Sequence, residues 1–525
     1  MPSPLPVSPA VASSPAFALA ECGLLLRPGD DVVVTTRELR AGTRVQTATG
    51  EITVRTDVPS SHKLAVRRIP AGSPVHKYGQ SIGLASADIV AGEHVHVHNL
   101  GMDGTGRDYE FGTARTELAA PSGPRRTFQG YPRATGRVGT RNYVAVLASV
   151  NCSASTARMI TDQFRGTALD AFPNVDGVIA LTHQSGCGLV AGSIGADTLV
   201  RTLRGYARHP NVGGLLVLGL GCEMVPAQSL VAGLDLPADT ILKMLTIQDS
   251  GGVRATVRAG VDLIKEILPV LDARQRVAAP VSELVLGLNC GGSDGFSGIT
   301  ANPALGHASD RLVAAGGTSI LAETPEIFGA EHLLTRRAVS ESVGRRLLDR
   351  LDWWQQYAAS GGGTLDNNPS PGNKTGGLTT ILEKSLGAVA KAGQADLRAV
   401  YEYGEAVTER GLVFMDTPGY DPVSVTGIVA GGATVVCFTT GRGSVLGCRP
   451  TPSIKLATNT QMYERMAEDM DLNCGRIVDG TAQLTAVGDE IFERILVVAS
   501  GQPTVSEQLD LGQEEFVPWQ LGTVT

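Results

Sequence analysis

From Tyr143 onward, short apolar runs alternate with helical stretches, and the runs end in polar loops rich in glycine. Runs at 144–150, 178–183 and 215–221 read as buried strands, and 153–164 and 253–270 read as helices. Few architectures accept that order. It predicts parallel sheets joined by crossover helices, with the polar loops along one edge. A charged, proline-containing break at 272–280 precedes a second series, with strands predicted at 284–288, 318–322, 411–416 and 434–439. Residues 24–99 differ. Their β-like runs are short and are separated by Ala-Gly turns, which predicts a small all-β module. The fold class is therefore α+β multidomain, a small β module followed by a larger α/β region with parallel sheets. The expected segments are a disordered extension at 1–18, the β module at 19–100, a linker at 101–136, and α/β domains at 137–275 and 276–525. The extension is rich in Pro, Ala and Ser and has no Lys or Arg, so it does not read as a secretory signal.

A net charge of −8 with no dense basic block argues against nucleic acid or an anionic membrane as a partner. An anionic ligand would need a local pocket of positive charge. No uninterrupted apolar stretch is long enough to predict a membrane-spanning helix. The eight cysteines are scattered without a CxxC pair, so a reducing cytoplasm is expected. In that setting a special cysteine is a ligand or an acid/base rather than half of a bridge.

The loop Cys290-Gly-Gly-Ser-Asp-Gly-Phe-Ser-Gly-Ile-Thr-Ala-Asn-Pro303 follows a predicted strand and carries a thiol, a carboxylate, hydroxyls and an amide. Its glycines allow backbone N–H groups close to a small ligand, and its Ser293 and Asp294 read as facing one. Other strand ends deliver Asn151-Cys152, then Thr182-His183 through Cys187-Gly188, then Gly219-Leu-Gly-Cys222-Glu223. Parallel strands would bring Cys152, Cys187, Cys222 and Cys290 to one edge, where thiolates could hold iron, an iron–sulfur cluster or zinc. Buried structural thiols are the alternative. His183 and Glu223 are candidate acid/base groups. His94, His96 and His98 alternate with valines, which on a strand puts three imidazoles on one face, suited to a divalent metal. A merely exposed polar face is the competing reading. His62 could close the same pocket. Glu323-Thr-Pro-Glu326 offers two carboxylates. Lys374, in Asn368-Pro-Ser-Pro-Gly-Asn-Lys374, and Arg442, in Thr439-Thr-Gly-Arg-Gly443, suit a substrate carboxylate, with plain surface turns as the alternative. A nicotinamide dehydrogenase is disfavoured because Gly219-Leu-Gly-Cys-Glu223 lacks the GxGxxG spacing.

Taken together, these residues resemble the altronate/galactarate dehydratase family. The matching stretches are His62-Lys63, Tyr78-Gly79, Ala91 to Asn99, Gly136-Arg-Val-Gly-Thr-Arg-Asn142, Gly219 to Glu223, Cys290 to Asp294, Ala301-Asn-Pro303, Asn368 to Lys374 and Thr439 to Gly443. The resemblance implies that the β module is of the SAF-type β-clip kind. It also implies dehydration of a small anionic sugar acid to a 2-keto-3-deoxy acid. The implied cofactor is a divalent metal, Fe²⁺ before Mn²⁺ or Mg²⁺, and a homo-oligomer is expected. The His-Val-His-Asn ending of the β module looks closer to altronate than to galactarate dehydratases, whereas residues 103–112 depart from the altronate pattern. A galactarate dehydratase or another hydroxy-acid lyase of the family is the alternative. A related branch that acts on sulfolactate splits the two regions into separate subunits, and the fusion here favours a sugar acid. From another class, a non-catalytic sugar-acid-binding protein would use similar loops. Under the family reading His96 and His98 would lie at the metal, with His62 as base or third ligand. Asp294 or Glu323 would protonate the leaving hydroxyl. Arg141, Asn142, Ser293, Asn302, Asn373, Lys374 and Arg442 would bind substrate. In a competing arrangement the cysteines hold the metal.

Overall fold

The computed structural model describes residues 16–48, 50–104, 108–121 and 123–522. The chain divides into two compact units, one of residues 1–105 with 369–383, the other of 106–368 with 384–525. The expected boundaries did not foresee that 369–383 belongs with the β module.

In the first unit, three small sheets replace one continuous surface. One sheet orders Gly23–Leu24, Val32–Thr35, Lys63–Ala65 and His94–Val95. The others are Phe17–Ala18 with Arg44–Thr47 and Gly50–Thr53, and Leu100–Gly101 with Gln80–Ala85 and Pro74–Lys77. Cys22, Val33, Leu39, Val45, Val54, Val58 and Leu64 fill a common core. Most of the expected extension lies outside the described residues, but Phe17–Ala18 pairs in parallel with Val45 and Gln46.

The second unit holds the two parallel sheets that the apolar runs predict. Its four-stranded sheet runs Gly177–Leu181, Tyr143–Ala148, Val212–Gly219 and Ile241–Thr246. Its seven-stranded sheet runs Leu397–Tyr401, Gly411–Met415, Thr318–Leu321, Val285–Cys290, Val435–Thr440, Ser453–Ala457 and Leu472–Asn473. All pairings within both are parallel. In the larger sheet the chain first builds outward from Val285–Cys290 on one side, then returns to add Val435–Thr440 on the other. That reversal leaves a crevice beyond the C-terminal ends of these strands, the usual place for a ligand in an open α/β sheet. Thr127–Pro132, inside the expected linker, pairs antiparallel with Val138–Gly139 and with Val277–Pro280 from the expected break. Entry to and exit from the four-stranded region are thus tied to each other.

One apolar core joins the two parallel sheets, with Leu147, Leu215 and Val217 from the smaller and Val425, Val436 and Phe438 from the larger region. The helices Ile194–Ala207 and Asp421–Ala430 pass each other there at Gly205, where a Cβ would lie 2.4 Å from the Ala430 carbonyl oxygen. Backbone cannot yield as a side chain can, so that crossing requires glycine. Gly205→Ala is expected to destabilise the second unit by about 1–3 kcal/mol, read as a lowered midpoint in thermal or urea unfolding. Gly29→Ala, where nothing lies within 4 Å, should leave the midpoint in place.

Candidate functional site

Two clusters of buried ionisable groups stand out, one in each unit. In the first unit, His62 and Lys63 are adjacent at the start of one strand and His94 begins its neighbour. The strand ends at Val95. Asn99 then folds the chain back, accepting from the His96 amide at 2.9 Å and donating to the His94 carbonyl at 3.0 Å. The period-two expectation therefore fails after Val95. His94 and His96 stack at 5.2 Å between ring centroids, and His62 lies 5.0 Å from each. His98, expected as a ligand, is exposed and approaches His94 alone, at 5.6 Å. The ligating nitrogens of His62, His94 and His96 all lie within 4.8 Å of one another.

The arrangement fits a divalent cation. The Nε2–H of His62 donates to the Thr375 carbonyl at 3.1 Å, which leaves the Nδ1 lone pair facing His94 Nε2 at 2.9 Å. A ring fixed by a carbonyl on its far nitrogen is the usual support for a metal-bound imidazole. His96 Nδ1 is buried without a hydrogen-bond partner. Burial and the neighbouring imidazoles push His94 down to about 3. Burial, Lys63 and His62 push His96 down to about 4. Burial likewise lowers His62. All three are neutral at pH 7, the form that ligates.

Beneath them, Glu383 accepts from Lys63 and Lys77, each at 2.8 Å, and from the Thr379 hydroxyl at 2.7 Å. All three ionic groups are fully buried. One carboxylate faces two ammonium groups. Burial therefore outweighs the carboxylate at Lys63, whose pKa falls to about 8, while Glu383 outweighs burial at Lys77, whose pKa is raised. Although burial alone would raise Glu383, the two lysines hold it far below the ordinary carboxylate range.

In the second unit, Cys290 ends one strand of the seven-stranded sheet at its point of reversal, and Glu323 follows the adjacent strand. Glu323 has a left-handed backbone, φ 68°, costly for a residue with a side chain. Its Oε2 accepts from Lys391 Nζ at 2.6 Å and the Cys290 amide at 3.1 Å. Its Oε1 is buried without a partner. Lys391 also lies 2.8 Å from Cys290 Sγ, and that thiol lies 3.6 Å from carboxylate oxygens of Glu323 and Glu326. Glu326 accepts from Lys384 at 2.7 Å and Asn368 at 2.8 Å. Burial, only partly offset by Lys391, raises Glu323 to about 7. Burial and Glu323 hold Cys290 as a thiol. Burial with Glu323 and Glu326 raises Asp421 well above the carboxylate range. Cys290, Glu323 and Glu326 could geometrically surround a cation. Lys384 and Lys391 already neutralise the two carboxylates, so the cluster suits proton transfer and not metal binding.

The other expected site residues fall in different places. Asp294 has both oxygens filled, by Phe296, Ser297, Thr458 and Asn459, so it fastens loops and does not face an open site. Ser293 is buried beside it. Asn302 bridges the Gly387 carbonyl and the Thr439 hydroxyl. Arg442 is exposed, and its amide binds the Gly292 carbonyl at 2.8 Å, which joins the arginine loop to the Cys290 loop. Asn373 caps the short helix Pro371–Thr375, on which Lys374 is half-buried, next to the carbonyl that orients His62. The structure does not bring Arg141 and Asn142 to the C-terminal edge. They precede the Tyr143–Ala148 strand, where Arg141 pairs with Glu507 at 2.6 Å and Asn142 ties Arg133 to the Asn174 and Leu271 carbonyls. His183 is pushed down to about 4 by burial and has both nitrogens engaged, with the Ala148 carbonyl and the Ser185 amide. Cys152, Cys187 and Cys222 are exposed and join no three-donor group with Cys290, which is buried. Sequence reading overlooked Lys77, Glu383, Lys384 and Lys391. The signal for the last three was charge set inside the apolar stretch 378–392.

Glu383→Gln would leave two buried ammonium groups unmet and is expected to destabilise the first unit by about 3–5 kcal/mol at pH 7. Because the folded-state pKa of Glu383 is depressed, its contribution is fully present above the unfolded value of 4.5 and is lost as pH falls below it. The gap between wild type and variant should therefore narrow by about 2 kcal/mol at pH 3, measured by urea unfolding at both pH values.

No described helix is long and apolar enough to cross a membrane. Three family models cover the chain in order. They are the altronate/galactarate dehydratase SAF domain at 22–103, the D-galactarate dehydratase/altronate hydrolase second domain at 130–272, and the D-galactarate/altronate dehydratase C-terminal region at 281–524. Altronate dehydratase of Bacillus subtilis is 38% identical over 92% of this chain and 95% of its own length. Altronate dehydratase of Escherichia coli is 37% identical over 92% and 96%. Galactarate dehydratase (L-threo-forming) of Escherichia coli is 38% identical over 91% and 93%. The chain belongs to the altronate/galactarate dehydratase family and is a hydro-lyase.

Proposed function

We propose that this enzyme dehydrates an altronate-type aldonate to its 2-keto-3-deoxy acid, with a divalent metal, Fe²⁺ first, held by His62, His94 and His96. The observation that carries the reading is the set of three neutral, converging imidazoles, one fixed by a carbonyl and one with an unpartnered buried nitrogen. Altronate and galactarate relatives match the chain equally well, so galactarate stands as the second substrate.

The reaction removes the proton α to a carboxylate and expels the 3-hydroxyl. A positioned acid or base contributes about 10²–10⁴-fold, whereas enzymes commonly reach about 10⁶-fold or more. When bound, the metal supplies Lewis-acid stabilisation of the charge that gathers on the carboxylate and 2-hydroxyl. The chain's own residues supply the rest. Lys374, beside the histidines, would hold the substrate carboxylate. Glu323 carries a proton near neutral pH on a carboxyl with one unpartnered oxygen, the form of group that can protonate a leaving hydroxyl. Lys391, at 2.6 Å, then stabilises the carboxylate that remains.

The test is incubation of the protein with Fe²⁺ and a panel of aldonates and aldarates, scored by 2-keto acid formation. Altronate should give the highest kcat/KM. A clear preference for galactarate would move the assignment to the second substrate, and no keto acid from any of them would overturn it. His94→Ala and His96→Ala should each lose bound metal and activity together, and full metal retention would remove the histidines from the site. Glu323→Gln should lower kcat by about 10²–10⁴-fold with metal content unchanged. Since the acid form of Glu323 is the one needed, wild-type kcat should fall as pH rises through about 7, a limb the variant should lack.

A further inference from the structure

Of the eight cysteines, five are buried, and the three that are exposed are Cys152, Cys187 and Cys222. Those three follow, in turn, three adjacent strands of the four-stranded sheet, Tyr143–Ala148, Gly177–Leu181 and Val212–Gly219. The strands are parallel, so all three thiols lie beyond the same C-terminal edge, Cys152 in the first turn of the helix Asn151–Thr161 and the other two on loops. The loops interlock. The Asn151 amide donates to the Ser185 carbonyl at 2.9 Å, the Asn151 side chain donates to the His183 carbonyl at 3.2 Å, and the Met224 amide donates to the Gly186 carbonyl at 3.2 Å. A Cβ on Gly186 would lie 2.8 Å from the Ser149 carbonyl oxygen, so the Cys187 loop is pressed against the Cys152 loop. Gly186, Gly188 and Gly221 flank the thiols with positive φ, the kind of backbone that turns N–H groups toward an anionic group.

The three sulfurs do not all lie within 4.8 Å of one another. Two thiolates on one zinc ion, each at about 2.3 Å, cannot be more than about 4.6 Å apart. One ion held by all three thiols is therefore not the match, whereas a multi-iron group takes thiolates set farther apart. We infer that Cys152, Cys187 and Cys222 bind a [4Fe–4S] cluster through three irons and leave the fourth iron without a protein ligand. Two ionisable side chains close in sequence to the thiols are already committed. His183 uses both ring nitrogens, and Glu223 uses one oxygen on the Ser149 hydroxyl and the other on the Gly221 amide. The fourth iron is thereby open to an outside oxygen ligand, such as a carboxylate or hydroxyl. The Gln248 side-chain amide, 3.6 Å from Cys222 Sγ, supplies a hydrogen bond to the ligating sulfur. When a cluster capped by four small thiolates is delivered, three cysteine sulfurs replace three of them. Each cysteine proton leaves on a departing thiol, and no iron changes oxidation state. This site shares no residue with the histidine cluster and does not depend on the reading given to it.

The full-length protein, purified without oxygen and offered a preassembled thiolate-capped [4Fe–4S] cluster, should retain about four iron and about four acid-labile sulfide per chain after desalting. Cys152→Ser, Cys187→Ser and Cys222→Ser should each lose the sulfide and the visible absorption, with circular dichroism unchanged because the residues are exposed. His94→Ala should keep the sulfide, which separates this site from the metal of the histidines. Iron without sulfide in the wild type, or sulfide retained in all three serine variants, would overturn the assignment.

Discussion

Lys63, Lys77, Lys384 and Lys391 are ammonium groups taken out of water, and such a group is held only where a carboxylate meets it. Their partners, Glu383, Glu326 and Glu323, are just as deeply buried. Each pairing fixes chain segments far apart in sequence. Glu383 is brought beside two lysines of the β module, and Glu323 beside a lysine that follows a later helix. Removing one partner would strand a charge, so these positions admit little change of residue or register. The segment 369–383 belongs to the first unit for this reason. It carries the carboxylate that the two lysines require, and the Thr375 carbonyl that orients His62.

The two clusters differ in what their charge leaves over. Around Glu383 the ammonium groups exceed the carboxylates, and the imidazoles above stay neutral. Neutral nitrogen donors over a positively biased floor suit the proposed arrangement, in which an anionic substrate arriving on the cation would complete the balance. Around Glu323, two lysines face two glutamates, with a thiol that burial keeps protonated. No charge is left over to attract a metal, but Glu323 is poised between its two protonation states. The proposed roles, a cation at one cluster and a proton at the other, follow from these balances.

Much of the fold was legible because strand periodicity and apolar content are local signals. The four strands predicted in the second series are the central four of the seven-stranded sheet. Those missed lie toward its edges, where Arg398 and Lys455 interrupt the apolar runs in Leu397–Tyr401 and Ser453–Ala457. Ile241–Thr246, missed at the edge of the smaller sheet, carries Lys243 paired outward with Glu266. The candidate site was legible by composition more than by geometry. His62 and the histidine series were visible as a cluster, but period-two reasoning put His94, His96 and His98 on one face alike, and the family reading then took His98 in place of His94. It could not register that Asn99 would end the strand by bonding the His94 carbonyl and the His96 amide. Arg141 and Asp294 looked available because a sequence shows a charged side chain and not the groups that consume it.

Exposure divides the cysteines by a different logic from the one that divides the charges. A thiol in a core is a small apolar side chain, and Cys22, Cys437, Cys448 and Cys474 are accounted for by packing. An exposed thiol gains nothing from packing and is open to oxidation. Chance would scatter such residues over loops and helix faces. Here they lie beyond one edge of one sheet, on a helix start and two loops drawn together by backbone hydrogen bonds. Cys290 ends a strand in the same manner, yet it is enclosed by Glu323, Glu326 and Lys391. The common strand-end position that suggested four equivalent thiols in the sequence therefore resolves into two kinds. Cys290 contributes a proton-bearing group to a neutral buried cluster, and the other three present sulfur outward, where an inorganic ligand can reach it.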